Sequence, residues 1–187
     1  MVETNIVLTL LQTISIMVGI GYYILNIQNN QKNQKISLRN QELTLKSQQL
    51  SLEARQAQLF MGIYNNSFGT IQFAKANGLL YRTTWNNYDE FKELRVDEEN
   101  IATEFSDAYS LIGGVLEGVG VLVREGLLDI RFVALLLSGP VRNFWEKTLP
   151  IIDEYRRDLN SQRVWSETEF LYNALMKYLE EHPELGI

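Results

Sequence analysis

Three hydrophobic rhythms follow one another along the chain. From Ile6 to Leu25 no side chain is charged, and as a helix rising 1.5 Å per residue that run covers about 30 Å, the thickness of a bilayer's hydrocarbon core. From Ile36 to Leu59 apolar residues return every seven positions in two parallel series, Ile36, Leu43, Leu50 and Ala57, and Leu38, Leu45, Leu52 and Leu59. Beyond Phe60 apolar residues recur at steps of three and four, the period of amphipathic helices. The pattern predicts an all-α protein: a single N-terminal transmembrane helix (1–25), a polar helical stalk with heptads (26–58), and a C-terminal bundle of five or six helices (59–187).

The first segment reads as an uncleaved anchor. A cleavable signal would carry a basic leader, a shorter apolar core and a small-residue cleavage site, whereas Glu3 precedes this run and Tyr22, Tyr23 and Asn26 close it. The tyrosines fall where an interfacial aromatic belt is expected. Lys32, Lys35, Arg39 and Lys46 lie just downstream, so the positive-inside tendency predicts a cell-membrane protein whose C-terminal domain is cytoplasmic. Thr9, Gln12 and Thr13 share one helical face. Two readings stand: Gln12 meets another transmembrane helix there, or the threonines bond back to their own helix and Gln12 stays wet near the interface.

The two heptad series are offset by two residues, which places them about 160° apart around a helix turning 100° per residue. A common zipper seam alternates steps of three and four. Two narrow stripes suit a helix touching two neighbours, so Ile36, Leu38, Leu43, Leu45, Leu50 and Leu52 are the candidate association residues. A monomeric stalk resting one stripe on its own domain or on a partner is the second reading. A disordered linker is the third, favoured by the Asn/Gln-rich stretch from Asn26 to Gln34 and opposed by the absence of Gly or Pro between Tyr22 and Gly62.

In the C-terminal part the stalk is expected to run on through Phe60, Ile63, Tyr64, Phe68 and Ile71 to a stop near Asn77-Gly78. Next comes a loop holding Trp85, a core candidate whose second reading is the lining of a partner groove, and then a short helix capped by Asn87 with Glu90. The longest helix is expected from Asp97 to Arg124, with Phe105, Tyr109, Ile112, Leu116 and Val119 facing the core. Its Gly113, Gly114, Gly118 and Gly120 would each cost about 1 kcal/mol relative to Ala unless close packing offsets it. Glu117 interrupts the segment, which argues against a second span; a pairing with Arg142 is expected. Gly126 should stop this helix and Asp129 cap the next, and Pro140 fits a first turn. Pro150 must kink or break the helix that holds Phe144, Trp145 and Ile152. Ser166 and Glu169 form a capping box for a last helix ending before Pro183.

Composition narrows the chemistry. No cysteine and one histidine, His182, leave no thiolate site or nucleophile and no His-rich metal site. Residues 26–60 carry five basic and two acidic side chains, and residues 61–187 carry twelve basic and twenty acidic; an excess of eight negative charges would repel a phosphate backbone, so no nucleic-acid partner is expected. No phosphate loop occurs, and the glycines at 113–120 lack the spacing and preceding strand of a dinucleotide site. Glu104, Asp107, Glu117, Glu146 and Asp153 invite comparison with a carboxylate-bridged metal bundle, but the Glu-x-x-His elements of such a site are missing. No cofactor or catalytic residue is assigned.

The segment Arg55-Gln-Ala-Gln-Leu-Phe60 after a lone membrane helix, Trp85 before Tyr88-Asp-Glu-Phe91, Leu122-Val-Arg-Glu-Gly-Leu-Leu-Asp129 and Trp145 resemble an uncharacterised prokaryotic family of membrane-anchored helical proteins, a domain of unknown function, over about residues 1–180. The resemblance implies the same architecture and carries no catalytic residues. The chain is therefore expected to be non-enzymatic: an adaptor or accessory subunit whose partners are membrane lipid and other transmembrane or stalk helices, as a homo-oligomer or in a larger complex. A sensor transmitting along the stalk is the alternative reading, and an enzyme with a pocket built from carboxylates and tyrosines is the third.

Overall fold

The computed structural model describes residues 2–97, 99 and 101–185, and their regular elements are all helical apart from one isolated bridge between Val96 and Ala102. Of residues 2–5 and 7 only the helical backbone is described, so the carboxylate of Glu3 lies outside the described residues. The chain divides into two units, Met1–Glu53 and Ala54–Ile187. One helix, α1 (Val2–Ile63), accounts for the first unit and contributes its residues from Ala54 onward to the second.

In the first unit α1 is unbroken. The Asn/Gln-rich stretch from Asn26 to Gln34 is helical like its neighbours, as a segment free of Gly and Pro allows. Every described side chain of this unit is exposed.

The second unit holds seven further α-helices: α2 (Ile71–Arg82), α3 (Tyr88–Arg95), α4 (Glu104–Arg124), α5 (Ile130–Leu136), α6 (Ser138–Thr148), α7 (Ile152–Asp158) and α8 (Ser166–Glu181). The count exceeds the expected five or six because the chain breaks twice more. A π-helical turn at Tyr64–Phe68 closes α1, and Gly69 N–H returns to the Tyr64 carbonyl at 2.7 Å; α2 then starts afresh, capped by Thr70 Oγ1, which accepts from Phe73 N–H at 3.1 Å. Pro150 separates α6 from α7.

α4 is the centre, packed on α8, α2 and α3, while α8 also meets α5 and α6. Tyr109, Ile112 and Leu116 on α4, Phe91 on α3, Phe144 on α6 and Leu171 and Leu175 on α8 are fully buried in one core with Trp85, and Trp145 on α6 is buried as well. Among the described residues two helices are long and apolar enough to cross a membrane, α1 and α4; α4 spends its apolar face on this core.

Several expected boundaries move. α2 passes straight through Asn77-Gly78 and ends at Arg82. Its last carbonyls are taken by a side chain from α6: Lys147 Nζ donates to the carbonyls of Leu80, Tyr81 and Thr83 at 2.6, 3.0 and 2.8 Å, which stabilises three acceptors that a helix end leaves open. α4 begins at Glu104, capped by Thr103, because Asp97 is occupied in a local turn, accepting from Glu99 and Ile101 N–H. The Asn87 cap forms as expected, but Glu90 reaches back to Asn86 N–H at 2.8 Å.

The capping box at Ser166 does not form. Trp165, in the left-handed region at φ 54°, precedes α8 without a side-chain cap, and the carboxylate arrives from another helix: Glu117 Oε2 on α4 accepts from Thr168 N–H and Oγ1–H at 2.8 and 2.9 Å. Glu117 therefore does not pair with Arg142, which bridges to Glu146 instead. Gly120 makes the approach possible, since a Cβ there would strike the Glu167 carbonyl. Arg124, one turn on, binds Glu167 at 2.6 Å. Gly113 is filled against by the Trp165 and Phe144 rings. Gly114 and Gly118 face open space, so only two of the four glycines serve close packing.

The glycines give a paired prediction. Gly120→Ala should destabilise the protein by about 1–3 kcal/mol, because the obstructing group is backbone that cannot step aside, whereas Gly118→Ala should stabilise it by up to about 1 kcal/mol through helix propensity alone. Chemical denaturation of the two variants reads both signs.

Candidate functional site

The sequence-predicted site residues all lie on α1 in the first unit. Thr9, Gln12 and Thr13 are exposed on it, and Thr13 Oγ1 donates to the Thr9 carbonyl at 2.8 Å, so this threonine satisfies its hydroxyl within its own helix. Around them the described apolar side chains between Ile6 and Leu25 are uncovered, with exposures of 49–69% for the large ones. One helix of this length and composition fits a bilayer span by both measures.

Along the stalk Ile36, Leu38, Leu43, Leu45, Leu50 and Leu52 are 50–66% exposed. A helix fixes their directions: the series at 36, 43 and 50 and the series at 38, 45 and 52 run up nearly opposite sides. Neither series is brought against another element within the unit. Polar pairing along the same stretch is local, with Thr44 Oγ1 donating to the Asn40 carbonyl at 2.8 Å and Gln49 to Glu53 at 3.2 Å.

In the second unit polar side chains are spent on holding helices together. Arg95 Nη1 donates to Tyr155 Oη at 2.7 Å and its Nε to Ser106 Oγ at 3.2 Å; Arg156 bridges Glu169 at 2.7 Å; Tyr109 and Thr148 share a buried hydrogen bond of 3.0 Å. Burial pushes the Tyr109 phenol up, and burial together with the hydrogen bond to Asp158 does the same to Tyr88. Burial lowers the Lys147 ammonium.

Among the described residues, the open clefts of this unit include two that gather polar side chains. One, of about 310 Å³, lies between α2 and α4 and brings the Glu104–Asp107 pair beside Lys75, Gln72, Leu79 and Leu111. The other, about 270 Å³, is bordered by Tyr81, Ser138, Arg142, Asn143 and Glu146. Glu104 and Asp107 thus share a cleft, while Glu117 is spent on Thr168 and Glu146 on Arg142; among the described residues no three His, Cys, Asp or Glu side chains gather as a metal set would require. Trp85 is buried, its ring edge-on to Phe105 and Tyr109, and so lines no groove. Sequence periodicity missed Lys147 and the Glu117–Thr168 contact, because a helix-capping group supplied from a distant segment leaves no local spacing to read.

Fold and surface together define an all-helical protein with one N-terminal helix long and apolar enough to span a membrane and a helical unit that follows it in the sequence. The chain belongs to the family described as Domain of unknown function (DUF4760), whose model matches residues 13–175. No curated protein and no solved structure matches it. The matched span starts inside the apolar segment and ends at the buried Leu175 of α8, so stalk and helical unit belong to one family pattern.

The buried phenols set a pH dependence. An unfolded tyrosine ionises near pH ~10, and Tyr88 and Tyr109 ionise above that when folded. The unfolded state therefore releases its protons first, and the stability these groups hold below that value is lost as pH rises past it. The denaturation midpoint should begin to fall above about pH 10, and the double variant Tyr88→Phe/Tyr109→Phe should flatten that part of the profile.

Proposed function

We propose that this chain is a non-enzymatic, single-pass membrane protein that works as a structural adaptor or accessory subunit, through helix–helix contacts made by its membrane segment and stalk. The observation that carries the reading is the stalk's two series of uncovered aliphatic side chains on an otherwise polar helix. Covering a leucine is worth about 1.5–3 kcal/mol, and a polar helix keeping six in water forgoes that gain at every turn. Heptad recurrence is the pattern by which helices cover one another.

The other assignments rest on the same frame. Lipid covers Ile6–Leu25, with Thr9, Gln12 and Thr13 on the side that meets a neighbouring transmembrane helix. Lys32, Lys35, Arg39 and Lys46 hold the stalk, and the helical bundle after it, on the cytoplasmic face. The bundle's net negative charge keeps it from nucleic acid and from the anionic membrane surface. Its side-chain pairings support a scaffold role, since the inter-helix ones, such as Arg95 with Tyr155 and Arg156 with Glu169, hold helices together.

A second reading, a sensor that passes a conformational change through the stalk, is favoured by the π-helical turn that closes α1 at Tyr64–Phe68, since such turns are frequent at functional positions. It differs in requiring that stalk contacts change with a stimulus.

The test is native mass measurement of the full-length protein extracted from membranes in mild detergent. More than one chain per particle is expected. Replacing Ile36, Leu38, Leu43, Leu45, Leu50 and Leu52 with serine should reduce the particle to a monomer without changing the melting temperature of the bundle. A wild-type protein that is a lone monomer with no co-purifying chain contradicts the proposal.

A further inference from the structure

We infer that the stalk's partner is a second copy of this chain, paired parallel and in register along the face that carries Ile36, Leu43 and Leu50. The inference rests on the association proposed above and specifies its partner. It starts from what stands beside each apolar series on the helix. Taken with the residues three before and four after, the 36/43/50 series reads Asn33, Ile36, Asn40, Leu43, Ser47, Leu50, alternating steps of three and four as a two-helix seam does. The flanking members are small and uncharged.

The 38/45/52 series offers poorer seams. Its companions on one side are Lys35, Glu42 and Gln49, which puts charge at the contact, and on the other Gln34, Gln41 and Gln48 with Arg55 closing the row; glutamine gives up more rotamer freedom when ordered than asparagine or serine, and the row ends on a charge. An unpaired buried charge costs several kcal/mol, more than an amide that finds a partner. The two faces are thereby ranked: the first closes the pair, and Leu38, Leu45 and Leu52 stay outside it.

The amides select the partner. Asn33 and Asn40 are exposed, and neither side chain has a hydrogen bond within the described residues; the carbonyl of Asn40 takes the Thr44 hydroxyl and leaves the amide group open. A carboxamide both donates and accepts, so its natural complement across a seam is the same residue of an identical chain at the same height. A membrane anchor presents every copy in one direction and at one depth, which supplies that register.

Charge agrees. Arg39 and Lys46 flank the seam on one side and Ser37 and Thr44 on the other. In a parallel pair each cation faces the partner's hydroxyl side; in an antiparallel pair with Asn40 opposite Leu43 of the other copy, the flanking Arg39 would lie beside Lys46 of that copy. The seam is short and carries two amides, so its affinity is modest, and confinement in the membrane supplies the effective concentration that holds it closed.

The chain contains no cysteine, so single cysteines report proximity without background. In membranes holding the full-length protein, oxidation should link Leu43→Cys and Ser47→Cys chains into dimers at least fivefold more than Leu45→Cys or Leu52→Cys chains. Adding Asn40→Asp to Ser47→Cys should cut that yield several-fold through like-charge contact across the seam, and Gln41→Asp, one residue around the helix, should leave it unchanged. Equal or greater linking at 45 and 52, or no effect of Asn40→Asp, overturns the seam. Multi-chain particles by native mass with no self-linking at any position overturn the self-pairing while leaving the proposed association standing.

Discussion

A helix in water can hold a leucine in place only by covering it with something, and that constraint divides this protein. From Phe60 onward the chain builds a core from its own apolar residues: α4 lies among α2, α3 and α8, and Tyr109, Ile112 and Leu116 are wholly buried. In the first unit every described apolar side chain is exposed. The N-terminal apolar segment and the stalk series are the same problem met twice, first with a continuous apolar run long enough to cross a bilayer, then with one or two apolar residues per turn, the pattern another helix can surround.

Inside the bundle the tightest constraint is the approach of α8 to α4. Gly120 admits the Glu167 carbonyl, Glu117 supplies the N-terminal turn of α8 with its carboxylate, and Arg124 holds Glu167. Residues 117, 120 and 124 lie on one face of α4, so a single stripe of one helix positions the start of another. The Trp165 backbone, in a left-handed conformation, sits just before that turn with its ring against Gly113; the strain is local and the packing around it is dense. Lys147 does at the end of α2 what Glu117 does at the start of α8. Both are charged groups placed at the helix end whose dipole they complement.

How much of this is legible in the sequence depends on whether the determining contact is local. The all-helical class, the Asn87 cap, the Gly126 stop at φ 68° and the break at Pro150 come from residues acting on their immediate neighbours. The readings that fail are those where a distant segment outbids a local signal: Glu117 supplants the Ser166 capping box, and Asp97 is drawn into its own turn so that Thr103 starts α4. At Gly78 a weak local stop is overridden by packing on either side, since Ala76 and Leu80 are both buried. The candidate association residues are visible as a repeat, because heptads are a property of one strand of sequence; their partner is not on that strand, and its identity is carried only by what flanks them.

The central claim is that residues 6–25 are a lipid-covered rod to which everything after them is tethered. Paramagnetic accessibility of spin labels placed singly at Leu10, Met17 and Leu25 in the full-length protein, reconstituted into vesicles, tests it most directly. The account predicts that Met17 is open to oxygen and closed to a water-soluble nickel complex, with nickel access higher at Leu25, near the bilayer surface. Nickel access at Met17 equal to that at an exposed stalk position such as Gln41 would contradict it.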